Sequence, residues 1–324
     1  MKIPPVPPAL LSFIREGSRF VVAGHMEPDG DCLGSQLALC SVLSRMGKWA
    51  KPYSAGPFKR TEIRDWAPSF SNEIPDEEKK GSKLIVLDCS TLDRLGNLAS
   101  QVQDLEAASI DHHAAGAPFG SVQYIVPESP STTLLVLALI EALGESPTKE
   151  EAQLLFFGFS TDTGFFRHLD EKSAPWFTFV SRLVEAGANP KTAFARMNGG
   201  KSLDSRKLLG IVLERTERHY NGKLLLSWEE MEETERFGLE GRDSDALYQL
   251  LQAVEGVEAI VVIRQESPER CTVGFRSRDR VDVSTIAASF GGGGHRQAAG
   301  LAIEATISSL KPRIIEAFEK QLAE

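Results

Sequence analysis

Short apolar runs that end in acids or histidines recur through the first half of the chain. Residues 19–24 (RFVVAG) form a nearly continuous apolar run, as a buried strand does. The segment from His25 to Asp31 contains Pro28 and Gly30 and reads as a loop. From Leu33 the apolar positions take helical spacing and stop near Gly47. The pattern then repeats. Residues 83–87 (KLIVL) predict a strand with Asp88 at its end, and residues 107–110 (AASI) a shorter one ending in Asp111-His112-His113. Residues 131–143 and 150–159 predict helices, the second running into Thr161-Asp162-Thr163-Gly164. Strands alternating with helices predict an α/β fold with a parallel sheet and helices on both faces. Such sheets bind ligands beyond the carboxyl ends of their strands.

Near Gly187-Ala188-Asn189-Pro190 the character changes. Residues 191–219 are polar, charged and helical in spacing, which predicts a connector. Strands are expected at 223–228, 259–264 and 271–276, with helices at 243–254 and 284–290. A run of glycines, Gly291 to Gly294, then interrupts the pattern before His295. The expected organisation is a catalytic domain over 1–190, a helical connector over 191–219 and a smaller α/β substrate domain over 220–324. Pro4, Pro5, Pro7 and Pro8 predict an extended lead-in.

Composition narrows the function. A formal net charge of −9 over 324 residues excludes a non-specific coater of long duplex DNA. An anionic substrate must then be met by metal ions and a local basic patch. Cys32, Cys40, Cys89 and Cys271 form no C-x-x-C pair, which argues against a zinc ribbon and for a reducing compartment. No apolar run approaches the ~20 residues of a membrane helix, and the proline-rich opening lacks a signal-peptide core. A soluble, cytoplasmic protein with no membrane partner is expected.

The acids and histidines at the predicted strand ends are the candidate chemistry. His25, Asp29 and Asp31 alternate in one tight loop and can turn toward one point. Asp88, at a neighbouring strand end, can bridge two ions through its two oxygens, and His112 and Asp162 can complete the second. Taken singly, Asp31 and Asp162 also suit helix N-caps and Asp88 a turn. Taken together, they predict two divalent metal ions about 3.5–4 Å apart holding a hydroxide between them, an arrangement that hydrolyses phosphoesters. Adjacent side chains in extended backbone point opposite ways, so His112 is assigned to metal and His113 to substrate phosphate or to protonation of the leaving group. The glycines can admit a close backbone approach and form a nest for an anion. Arg276 lies at a strand end, as Arg264 does, and Arg278 follows closely. Guanidinium groups pair with phosphate bidentately.

These residues resemble the DHH phosphoesterase superfamily with its DHH-associated C-terminal domain. The likeness rests on His25-Met-Glu-Pro-Asp29-Gly-Asp31, Asp88 to Arg94, Asp111-His112-His113 and Thr161-Asp162-Thr163-Gly164. In the second domain it rests on Phe275-Arg276-Ser277, Asp282-Val283-Ser284, Gly291 to His295 and Ala298-Ala299-Gly300. The two-domain layout is most similar to bifunctional oligoribonucleases (nanoRNases) that also act as pAp phosphatases. The resemblance implies Mn²⁺ as the metal, with short RNA oligonucleotides and the nucleoside bisphosphate 3′-phosphoadenosine 5′-phosphate as substrates. It implies that His25, Asp29 and Asp88 hold one ion, and that Asp31, Asp88, His112 and Asp162 hold the other. Arg276, Gly292, Gly293, Gly294 and His295 would then bind the far end of the nucleotide.

Rival readings lie within the same superfamily. A family II inorganic pyrophosphatase would carry a basic Ser-Arg-Lys-Lys-type motif where this chain has the glycine loop and His295. A phosphodiesterase for linear dinucleotides derived from cyclic di-AMP is a further activity of such a site. A long single-strand exonuclease would need additional domains, and a nucleotide-binding regulator would lack the intact ligand set. Whether the chain forms a homodimer is left open.

Overall fold

The apolar runs become the strands of a parallel sheet. In the computed structural model, which describes residues 4–117, 119–278 and 280–322, the chain forms two compact units that meet in sequence at Gly200 and Lys201. The first holds β1 (Arg19–Gly24), β2 (Trp49–Tyr53), β3 (Lys83–Leu87), β4 (Ala107–Asp111) and β5 (Val122–Ile125). Their order is β2-β1-β3-β4-β5, and every neighbouring pair is parallel. The two strands of this unit absent from the sequence reading, β2 and β5, are the sheet edges. Edge strands are half exposed, so their sequences WAKPY and VQYI lack the apolar run that marks a central strand.

Helices α1 (Pro8–Glu16), α2 (Gly30–Arg45), the single turn α3 (Asp76–Lys79), α4 (Thr132–Ala142), α5 (Lys149–Asp162), α6 (Phe177–Glu185) and α7 (Pro190–Asn198) complete this unit. The expected extended lead-in stops at Pro7. Pro8 starts α1, where a missing N–H costs nothing, and Leu10, Phe13 and Ile14 of that helix are buried. Side chains alternate across each strand. Phe20, Val22, Ile85 and Ile110 face the core shared with α1, α2, α4 and α5. Val21, Ala23, Leu84 and Val86 face the other side, covered by Leu95 and Leu98 of a 3₁₀ segment, Leu92–Gln101.

The crossing of α2 and α5 positions the chemistry. A Cβ at Gly34 would lie 2.7 Å from the Leu154 carbonyl oxygen, and one at Gly158 would lie 3.0 Å from Asp31 Cα. Only glycine permits that approach. A buried carboxylate locks the pair from the side. Glu151 accepts from Ser41 Oγ (2.6 Å), from Arg45 Nε (3.0 Å) and from the Thr148 amide (2.8 Å) that it caps.

In the range expected to be one connector, α7 ends at Asn198, and α8 (Leu203–Glu214) and β6 (Glu217–His219) follow. The second unit adds β7 (Leu224–Glu229), α9 (Met231–Phe237), α10 (Ser244–Gln252), β8 (Ala259–Ser267), β9 (Arg270–Ser277), α11 (Val283–Ser289), β10 (Gly293–His295), β11 (Ala298–Glu304) and α12 (Ile307–Ala317). Its sheet runs β10-β11-β9-β8-β7-β6, with β7 and β8 parallel and the remaining neighbours antiparallel. Val261, Val273, Phe275 and Leu301 face a core shared with α11 and α12, while Ile260 and Val262 face Tyr248 and Leu251 of α10. No helix among the described residues is long and apolar enough to cross a membrane.

Candidate metal centre

The carboxyl ends of β1, β3 and β4 bring His25, Asp88 and the Asp111–His113 segment together, and α2 and α5 bring Asp29, Asp31 and Asp162 to the same place. Asp29 is the N-cap of α2. Its Oδ1 accepts from the amides of Asp31 and Cys32 at 3.1 Å each. Neither Asp31 nor Asp162 is an N-cap. Asp31 lies inside the first turn of α2 and Asp162 closes the C-terminal end of α5.

Asp88 stands at the centre. Its Oδ2 lies 3.5 Å from His25 Nε2, while its Oδ1 lies 3.6 Å from His112 Nε2 and 3.7 Å from His113 Nδ1. The two oxygens therefore serve different histidines, as a bridging carboxylate requires. His25 Nε2 is also 3.9 Å from Asp29 Oδ1. His112 Nε2 is 3.3 Å from Asp162 Oδ2 and 4.0 Å from Asp31 Oδ2. Backbone conformation contributes as well. Asp88 has φ of +56°, a region that Asp visits more readily than most residues but still at a cost of about 1–2 kcal/mol.

Each histidine is oriented through its other nitrogen. His25 Nδ1 contacts the Met26 carbonyl at 2.9 Å, and His112 Nδ1 the Ser129 carbonyl at 3.1 Å. A carbonyl partner fixes the Nδ1 proton, so that Nε2 is the nitrogen turned toward the centre and available as a metal ligand. His113 differs. Its Nδ1 lies 2.7 Å from Asp111 Oδ1, a contact that raises its pKa above the usual histidine range against the opposing effect of burial.

The electrostatics calls for a cation. Asp31 is fully buried, and burial followed by the charges of Asp88, Asp162 and Asp29 raises its pKa well above the ordinary carboxyl range. Burial, reinforced by Asp88 and Asp29, pushes Asp162 up to about 6 against the attraction of His112. Burial also penalises Asp88, but the hydrogen bond from His25 and the charges of His25, His112 and His113 bring it down to about 2. Clustered carboxylates with inward-turned imidazoles suit divalent ions of the manganese, iron and zinc kind. Among the described residues, three ligand groups have atoms close enough to share an ion: Asp31 with His112 and Asp162, Asp88 with His112 and His113, and His25 with Asp88 and Cys32. The Cys32 thiol is buried, and that burial raises its pKa and keeps it protonated. Asp29, whose Oδ1 lies 3.9 Å from His25 Nε2, is the carboxylate that stands on the same side of His25.

Two supporting groups escaped the sequence reading, and a third, Asp111, was named there without a role of its own. The amides of Thr132 and Thr133, at the N-terminus of α4, donate to Asp31 Oδ2 (2.6 Å) and Oδ1 (2.9 Å). Thr132 Oγ1 donates to Asp88 Oδ1 at 3.0 Å. Asp111 accepts from the amides of His112 and His113 as well as from the imidazole of His113. The cluster Ser129-Pro-Ser131-Thr132-Thr133 before a predicted helix was the available signal, since hydroxyl residues gather at helix N-termini. Glu27, the extra acid of the first loop, turns outward and pairs with Lys59.

The residues expected to hold nucleotide lie in the second unit. Arg276 is on β9, its guanidinium 4.6 Å from the centre of the Tyr248 ring. Arg264 donates to Ser244 and pairs with Glu229, and Arg278 donates to the Gln252 carbonyl, so both are engaged in structural contacts. The expected four-amide nest is not formed. The amides of Gly291 and Gly292 donate to Ala288 and Ala287 at the end of α11. Gly293, Gly294 and His295 are not a loop but the edge strand β10, paired with β11. Gly292 is required by packing, because its Cβ would lie 2.4 Å from Leu301 Cβ.

Comparison with known proteins identifies the two domains. Residues 19–159 match the DHH family, N-terminal domain, and residues 221–324 match the DHHA1 domain. The chain is 30% identical over 311 residues to the bifunctional oligoribonuclease and PAP phosphatase NrnA of Thermus thermophilus, covering 93% of this chain and 89% of that protein. The protein of the same name from Bacillus subtilis is 24% identical over 289 residues, covering 86% of this chain and 87% of the relative. The crystal structure of an exopolyphosphatase-related protein from Bacteroides fragilis superimposes with a TM-score of 0.81 at 23% identity, covering 98% of this chain and 97% of the other, a likeness of fold.

Proposed function

The chain belongs to the DHH family, and on that premise we propose that it is a metal-dependent phosphoester hydrolase acting on short oligoribonucleotides and on 3′-phosphoadenosine 5′-phosphate. The observation that carries this reading is Asp88, which offers one oxygen to His25 and the other to His112. His25, Asp29 and Asp88 would hold one divalent ion, and Asp31, Asp88, His112 and Asp162 the other, with Mn²⁺ the expected metal. Bound there, such ions supply Lewis acidity to the phosphoryl oxygens and lower the pKa of a water nucleophile.

The protein's own groups do the rest. The N-terminus of α4 fixes the Asp31 carboxylate, and the Thr132 hydroxyl fixes that of Asp88. Asp111 holds His113 by Nδ1, which leaves Nε2 to protonate the departing oxygen. In the second unit Arg276, Gly292, Gly293, Gly294 and His295 are the proposed recognition residues. The domain assignment follows, with catalysis in residues 1–190 and substrate recognition in residues 220–324.

The test is a comparison of initial rates with Mn²⁺ on pApA, a five-nucleotide RNA, pAp and pyrophosphate. Hydrolysis of the three nucleotides with little pyrophosphatase activity is expected. Preference for pyrophosphate would overturn the substrate assignment, and full activity in Asp88→Ala would overturn the metal mechanism.

A further inference from the structure

Three consecutive residues just after Asp162 and Thr163 take left-handed backbone. Gly164, Phe165 and Phe166 have φ of +56°, +54° and +77°. L-residues enter that region singly and at a cost, and a bulky aromatic residue is poorly suited to it. Two such residues in succession persist only where their surroundings over-determine them, and strain of this kind clusters at functional sites.

Packing supplies the anchor. The Phe166 ring lies edge-on to the buried Phe159 at 5.5 Å and stacks on Phe177 at 5.9 Å, while Phe165 meets Phe194 edge-on at 5.0 Å. Main-chain bonds close the turn. The Phe165 amide donates to the Ser160 carbonyl and the His168 amide to that of Thr163. The chain thus folds back on the C-terminal end of α5, and Arg167 and His168 return over Gly164, two positions beyond Asp162.

The return brings two exposed side chains to one point. A Cβ at Gly164 would lie 2.8 Å from His168 Nε2 and 2.9 Å from Arg167 Nη2. Arg167 Nε donates to the Gly164 carbonyl at 3.1 Å, the role of a cation at a helix C-terminus. That contact uses one of its five N–H donors. Among the described residues no ion pair engages either side chain, and no hydrogen bond joins the two. Nitrogens that face one point without bonding each other suit an acceptor between them. This is a local basic patch of the kind that a chain of net charge −9 needs for an anionic substrate. The same turn is flanked by Phe177 and Phe194, which are 45% and 51% exposed. Cationic groups beside exposed aromatic rings are the means by which single strands are held.

We infer that Arg167 and His168 form a phosphate site, which takes the phosphate on the 3′ side of the scissile one in an RNA chain. The guanidinium pairs with the phosphate oxygens and the imidazole donates to them from Nε2. Neither residue belongs to the ligand groups of the candidate metal centre, so the phosphate held here is a neighbour of the reacting one. In pAp and pApA the only phosphate besides the scissile one is at the 5′ end. A longer RNA carries a further phosphate on the other side, and the site thereby reads chain length. This inference rests on the proposed nucleotide hydrolysis and adds how longer chains are held.

The experiment compares substrates that have the further phosphate with substrates that lack it. In Arg167→Ala, KM for a five-nucleotide RNA should rise about 10-fold or more, the scale of losing a charged hydrogen bond, with KM for pAp and pApA unchanged. His168→Ala should raise KM about 3-fold, on the five-nucleotide RNA alone. Arg167→Lys, which keeps the charge and loses the paired geometry, should recover part of the loss. Binding is read by fluorescence anisotropy, with Mn²⁺ present, on a labelled five-nucleotide analogue whose methylene-phosphonate linkages cannot be cleaved. In Arg167→Ala its log–log slope against salt should become shallower by about 0.7, one phosphate contact on a single strand. Unaltered KM and binding in both alanine variants would overturn the site, as would an equal rise in KM on pAp. If Arg167→Ala fails to fold, His168→Ala, whose side chain has no hydrogen bond to lose among the described residues, decides by the same measurements. Should the parent hydrolyse none of these substrates, the phosphoesterase reading fails, and binding of the analogue still decides the phosphate site.

Discussion

Asp31 and His295 are held in opposite ways. Asp31 is fully buried, receives two main-chain hydrogen bonds from α4 and sits where two helices cross on glycines. His295 stands exposed on a three-residue edge strand. The contrast extends to their neighbours. The candidate metal ligands are fixed by groups from β1, β3, β4, α2, α4 and α5, whereas the proposed nucleotide residues lie on an open sheet face with small side chains between them. Ligands that must share an ion cannot shift by an ångström without losing it, so that geometry is over-determined. Recognition of a nucleotide on an open face rests on several weaker contacts, each of which tolerates a small shift. The first region should therefore fail steeply when altered and the second gradually.

The largest effect is expected at Asp88. Asp88→Ala removes the one side chain shared by both histidine groups, and manganese-stimulated hydrolysis should fall by more than about 10³-fold, at least the loss seen when one preorganised stabiliser is removed. Loss in kcat, rather than in KM alone, places the defect in chemistry. A smaller fall, about 10²-fold in kcat with KM nearly unchanged, is expected for His113→Ala, the lower range of general acid catalysis. An equal effect on a substrate whose leaving group needs no proton, such as p-nitrophenolate, would instead assign His113 to positioning.

How much of this contrast the sequence revealed follows from the same physics. The strands bearing His25, Asp88 and His112 are buried on both faces, so their apolar runs stand out and their ends can be read directly. Edge strands β2 and β5 bury too little to leave that pattern. The glycine loop and Ala298-Ala299-Gly300 carry no strand propensity, yet they form β10 and β11 because β9 offers an unpaired edge. The Ser129 carbonyl and the Thr132 hydroxyl reach their partners across 17 and 44 residues. A linear motif does not record such contacts.

Those distant partners give the next prediction. Thr132→Val keeps the shape of the side chain and removes only the hydroxyl that donates to Asp88. Metal affinity should weaken about 10-fold, the lower range for losing a hydrogen bond to a ligand. Isothermal titration with Mn²⁺ measures it, and unchanged affinity would mean that the contact does not orient the bridging carboxylate.

The smallest expected effect is a pH dependence confined to the first region. Burial and neighbouring carboxylates raise the Asp162 pKa from 3.8 to about 6 in the folded protein. Between those values the folded chain binds more protons than the unfolded one, so its stability falls as pH rises. The contribution of Asp162 is fully present below 3.8 and is lost as pH passes through about 6. The melting temperature of the metal-free protein should therefore drop by a few degrees between pH 5 and pH 8, about 2–4 °C for each kcal/mol in a domain of this size. In Asp162→Asn, which cannot ionise, that drop should shrink. Saturating Mn²⁺ should also reduce it, because a cation relieves the repulsion among Asp31, Asp88 and Asp162. Equal pH profiles for the metal-free parent and Asp162→Asn would show that the carboxylates are not strained against one another, and the case for a cation would then rest on ligand geometry alone.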